Sequence, residues 1–120
     1  MNLDDALRDG MSVDGALGIA LVDHTSGMIL GKQGGNSLLD MDVAGAVLTE
    51  VFRAKVNAIE ALQLDDEVED ILVTLGSQYH IIMPLADRGS LFLYLVLDRK
   101  RGNLALARHL LRGIEQAVQV

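Results

Sequence analysis

The segment from Asp40 to Leu62, "DMDVAGAVLTEVFRAKVNAIEAL", contains no proline and repeats its apolar residues at helical spacing. Asp40 suits the N-cap, because its carboxylate can accept the free backbone N–H groups of a first turn. Placed at 100° per residue, Thr49, Glu50, Arg53, Asn57 and Glu60 gather on one side. The apolar members, from Val43, Val47 and Val51 round to Leu48, Ile59, Phe52 and Val56, sweep about 220°, interrupted only by Gly45 and Lys55. A helix that covers one sheet needs a stripe of only about 100°. This one must pack on its own sheet and on a second apolar surface as well.

The rest of the chain supplies that sheet. Asn2 to about Met11 reads as a short helix with Leu3, Ala6 and Leu7 on one face, aspartates in its first turn and Gly10 at its end. Asp14-Gly15 is a turn. "ALGIALV", Ala16 to Val22, is a short apolar run and a buried strand; "MILGK", from Met28, follows across a loop ending in Gly27, as in a hairpin. "QGGNS" is loop. After "LDDEVED" come "ILVTLG", "YHIIMPLA" and "LFLYLVLD", joined by Gly76-Ser77-Gln78 and Asp87-Arg88-Gly89-Ser90, which predicts an antiparallel meander.

Leu91 to Leu97 is apolar on both alternating faces, so it belongs inside a sheet covered on both sides. Pro84 cannot donate to a ladder and belongs at a strand end or bulge. Asn103 caps a last helix with Leu104, Ala107, Leu110, Leu111, Ile114, Ala117 and Val118 as its stripe, and Arg108, His109, Arg112 and Glu115 facing away. The order α-β-β-α-β-β-β-α makes an α+β protein, a five-stranded antiparallel sheet sandwiched between helices.

The 120 residues, half of them hydrophobic, fit one domain spanning 1–120 that buries roughly two-thirds of its unfolded surface. With no cysteine there is no disulfide framework and no thiolate metal site. The acidic start, "MNLDDALRDG", lacks the order of a signal peptide, and the apolar runs fall short of the ~20 residues of a membrane helix. A soluble cytoplasmic protein with no membrane insertion is expected. Seventeen acidic against ten basic residues give a net charge of −7, which disfavours nucleic acid. Basic charge is concentrated only in "DRKRG", Asp98 to Gly102, which reads as a solvated strand-to-helix loop.

Candidate chemistry is sparse. "LVDHTSGMIL" sets Asp23, His24 and Ser26 close together, the residue types of a charge-relay hydrolase. Neighbours on a hairpin alternate faces and rarely converge, and Asp23, Thr25, Ser26 and Gly27 are all turn formers. Gly27 to Gly31-Lys32 has three residues between its glycines, where a phosphate-binding loop needs four, and Gln33 follows the lysine. His24, His80 and His109 lack ligand spacing, and the Asp65–Asp70 acidic run lacks the order of a calcium loop. No catalytic, cofactor-binding or metal residues are assigned. What remains is an apolar surplus on the central helix and on "ILVTLG", whose free edge a symmetric dimer would cover.

The element order, the hairpin "LVDHTSGMILGK", the long helix "VAGAVLTEVFRAKVNAIEALQL" and the run "DILVTLGSQYHIIMPL" resemble the roadblock family of dynein light chain-related, profilin-like domains, in particular its bacterial members. The resemblance implies the sheet order 2-1-5-4-3, with "LFLYLVL" central and "ILVTLG" at an edge. It implies a non-enzymatic platform that forms homo- or heterodimers through that edge and the central helix. With the apolar surplus, a homodimer is expected here, with Leu48, Phe52, Lys55, Val56, Ile59, Ile71, Val73 and Leu75 at the interface. Prokaryotic members often act with small Ras-like GTPases, and such a role would run through surface contacts, because no GTP site is present. The alternative is a profilin-like small-molecule sensor with a cavity lined by Tyr79, His80 and Tyr94.

Overall fold

The computed structural model describes residues 1–120. Helix α1 (Leu3–Met11) precedes a hairpin of β1 (Ala16–Asp23) and β2 (Met28–Gly34). Helix α2 (Met41–Ala61) leads to the meander β3 (Ile71–Thr74), β4 (Gln78–Pro84) and β5 (Leu91–Asp98), and α3 (Leu104–Ala117) closes the chain. The strands form one antiparallel sheet in the order β2-β1-β5-β4-β3. Fold class, element order and strand order are those expected.

Strand β5 organises both cores. Leu93, Leu95 and Leu97 point to one face, where they meet Ile19 and Leu21 of β1, Ile81 and Met83 of β4, and the buried faces of α1 and α3. Phe92, Tyr94 and Val96 point to the other face, with Ala20, Val22 and Ile82, and pack under Met41, Leu48 and Phe52 of α2. From Phe92 to Leu97 no residue is more than 1% exposed. At ~1.5–3 kcal/mol for each large apolar side chain buried, this strand contributes more hydrophobic stabilisation than any other single element. Pro84 ends β4, where no ladder donor is required.

The helix starts follow from side-chain caps. Asn2 accepts the Asp5 N–H at 2.8 Å, Asp40 the Asp42 and Val43 N–H groups at 3.0 and 3.2 Å, and Asn103 the Leu106 N–H at 3.0 Å. Several local expectations are corrected. Helix α1 ends at Met11 as expected, but Gly10 lies inside it, at a close crossing over Ile19, and does not end it. Strand β2 continues through Gly34, because Gln33 and Gly34 pair with Ile19 and Gly18. Thr49 is buried, since its hydroxyl returns a bond to the Gly45 carbonyl at 3.0 Å and needs no water. Arg108 and Arg112 do not simply face solvent: they hold the largely buried Asp70 at 2.8 and 3.6 Å, tying α3 to the start of β3. Glu115 accepts the Ala86 N–H at 2.8 Å.

Gly15 joins the two ends of the fold at one point. Its φ is +85°, and an added Cβ would lie 2.7 Å from the Gly102 backbone nitrogen. Its carbonyl accepts the Asp98 N–H at 2.8 Å. A side chain there incurs both left-handed strain and a backbone clash. Gly15→Ala should therefore lower stability by about 2–4 kcal/mol, read as a lower urea midpoint at unchanged denaturant slope.

Candidate interaction surface

The hairpin tip that spells out a hydrolase is held by bonds local to it. The Asp23 carboxylate accepts the Thr25 hydroxyl at 2.6 Å and the Thr25 N–H at 2.9 Å. These bonds, the hydroxyl first, hold its pKa below the ordinary 3.8. Ser26 Oγ accepts the Met28 N–H at 3.2 Å. His24 turns away from both: Nε2 donates to the Gly89 carbonyl at 2.9 Å, and the ring lies 4.8 Å from that of Phe52 and 6.5 Å from that of Phe92. Arg53 of α2 donates to the His24 and Thr25 carbonyls. His24 is thus a clasp that fixes the hairpin to the β4–β5 turn and to α2, a role that turn chemistry alone did not reveal.

The wide apolar sweep of α2 divides into two faces. Leu48 and Phe52, 9% and 6% exposed, point into the protein's own core, so they form no part of the outer surface of a single chain. Val43, Val47 and Val51, 59%, 56% and 37% exposed, form the outward stripe instead. Gly45 was the signal that could have separated the two. An added Cβ would meet Ile29 Cδ1 at 2.3 Å, so this residue marks the side where the helix descends onto β1 and β2. Lys55 is exposed, while Val56 and Ile59 are half-buried. Ile71 and Val73 pair with Ile82 and His80, which sets them half-buried on the α2 face of the sheet, and Leu75 is exposed just beyond β3.

The two sheet edges differ in kind. Strand β2 carries Lys32, ion-paired with Asp42, together with two glycines, features that discourage strand addition. Strand β3 is Ile-Leu-Val-Thr, with no charge, glycine or proline, and pairs only with β4. Helix α2 rests on β1 and β2 and leaves the β3 side of this face unroofed. The valine stripe and the uncharged edge therefore flank one open region.

No protein-family model matches the sequence, and no curated protein matches it significantly. Solved structures do match. A Roadblock/LC7 domain from Streptomyces avermitilis superposes with a TM-score of 0.83 at 14% identity, over 98% of this chain and 94% of its own. The chain has the roadblock fold. Myxococcus xanthus MglB aligns with a TM-score of 0.75 at 14% identity, over 93% of this chain and 77% of that one. The gliding protein MglB from Thermus thermophilus aligns with a TM-score of 0.71 at 15% identity, over 94% and 87%. No helix is long and apolar enough to cross a membrane.

Within this roadblock fold, the three residues considered for a ligand cavity do not converge. Tyr79 lies on the α1/α3 face, under the Arg99 guanidinium 5.2 Å from its ring centre. His80 and Tyr94 share the α2 face. There the Tyr94 hydroxyl donates to His80 Nδ1 at 3.0 Å, and Nε2 donates to Gln78 Oε1 at 2.9 Å. Burial raises the Tyr94 pKa to about 12 and lowers that of His80 below 6.5. As pH falls through 6.5 the folded chain takes up fewer protons at this residue than the unfolded chain, so stability declines on acidification. His80→Gln should flatten the fall of the urea midpoint across that window.

Proposed function

We propose that this chain is a non-enzymatic regulatory or scaffold protein that works as a homodimer and acts with a small Ras-like GTPase through surface contacts. The observation that carries the dimer is the joint exposure of Val43, Val47 and Val51 beside an edge strand without charge. Helix against helix and β3 against β3 about a twofold axis would cover both features with one self-complementary patch. A relative of known structure, MglB, is described in a tetrameric arrangement, which supports self-association as a habit of the fold. The GTPase half rests on the likeness to bacterial roadblock proteins, and its mechanism would be preferential binding to one switch conformation.

Light scattering tests the dimer. The chain has a mass of 12.9 kDa, and the protein should scatter at about twice that. Val47→Glu with Val51→Glu should return it to the mass of one chain without loss of helix by circular dichroism. Wild-type protein that stays monomeric at micromolar concentration ends the dimer reading. Phe52 is a poor site for this test, because a charge there strikes the core.

Pull-down with Ras-like GTPases locked in the GTP and GDP states tests the second half. Retention of one state over the other, by about tenfold or more, is expected. Equal retention, or none, removes the switch-dependent role while leaving the dimer intact.

A further inference from the structure

Between the end of α2 and the start of β3 the chain crosses the sheet end as an irregular strap, residues 62–70. On the side away from the valine stripe, the strap borders a groove of about 580 Å³ that reaches the end of β4 and α3. Its floor is apolar: Phe52, Val56 and Ile59 of α2, Leu64 and Val68 of the strap, and Pro84.

The rim is acidic. Glu60, Asp66, Glu67 and Glu69 border the groove, and none of them takes part in the protein's five ion pairs. The one basic residue at the groove, Arg112, is engaged by Asp70 at 3.6 Å. The C-terminal end of α2 points here with no basic residue in its last turn, so its dipole adds to the negative field.

A second observation concerns the backbone. From Asp65 to Glu69 only the Glu67 N–H has a partner, the adjacent Asp66 carboxylate at 2.9 Å, and no carbonyl accepts a bond from within the chain. A non-helical segment whose backbone donors and acceptors have no partner within the chain, beside an apolar floor, can take an added strand. The same negative field repels nucleic acid and anionic lipid.

We propose that this groove receives an extended segment of a partner protein carrying Lys or Arg, whose backbone pairs with the strap and whose apolar side chain fills the floor. The basic side chains lie along the rim carboxylates and fix register, while the floor supplies the contact area. The strap and Ile59 also border a neighbouring groove that contains Val51 and Ile71, so the site adjoins the proposed dimer patch, and the Val47→Glu, Val51→Glu variant distinguishes the two.

Fluorescence anisotropy on the full chain tests this with three labelled peptides. Lys-Val-Lys-Leu-Lys-Val-Lys is expected to bind, and Glu-Val-Glu-Leu-Glu-Val-Glu should bind at least about tenfold more weakly. Lys-Ser-Lys-Ser-Lys-Ser-Lys should also be weaker by a similar factor, because it leaves the floor empty. Glu67→Lys with Glu69→Lys, both exposed residues, should lower affinity for the first peptide about tenfold with unchanged circular dichroism, whereas Val47→Glu with Val51→Glu should leave it unaltered. Equal binding of the three peptides, or indifference to the Glu67 and Glu69 reversals, would overturn the proposal. So would loss of binding in the valine variant, which would assign the peptide to the dimer surface. A lower light-scattering mass in the Glu67→Lys, Glu69→Lys variant would give the groove to a second copy of this chain, and overturn it too.

Discussion

A middle strand that is apolar on both faces obliges the chain to provide a helical layer for each. Strand β5 presents leucines to one side and Phe92, Tyr94 and Val96 to the other. Two helices, α1 and α3, divide the leucine side, while the other side has only α2. One helix about 10 Å wide cannot roof five strands spaced about 4.8 Å apart. The uncovered region beside β3 follows from this count of layers, and with it the whole question of what the protein meets there.

The placement of α2 is set by its contacts at both ends of the hairpin. Gly45 lets the helix approach Ile29 and Val22, and farther along Phe52 stacks 5.5 Å from Phe92 with His24 beside it. Arg53 closes the tip by bonding its carbonyls. Together these contacts turn Val43, Val47 and Val51 outward. The residues that looked catalytic therefore orient the helix that carries the exposed valine stripe.

Much of the architecture was legible in the residues. The caps Asn103 and Asp40, the hairpin loop ending in Gly27, the position of Pro84 and the two-faced apolar run of β5 each rest on local chemistry, and each lies where that chemistry puts it. The long helix was legible as a whole but not in its rotation. A sweep of about 220° says that two partners exist without saying which third of the circle faces the sheet. Leu48 and Phe52 went to the inner third, because Gly45 and Thr49 shape that side. His24, Arg108 and Arg112 were illegible for another reason. Their partners, Gly89 and Asp70, lie 65, 38 and 42 positions away along the chain, and no local pattern encodes such a pairing.

Strand β3 has only four residues and is attached through β4 alone, while β5 is buried on both faces and bonded on both sides. The sheet therefore carries a gradient of local stability. Amide protons at its centre are expected to be released only by global unfolding, and those at the β3 edge by fraying that leaves the rest intact. An edge of this kind can yield and re-form against an incoming strand without disturbing the cores. In the proposed dimer, association would thereby be uncoupled from folding, and a partner's arrival would be recorded as slowed exchange at the strand that is otherwise first to open.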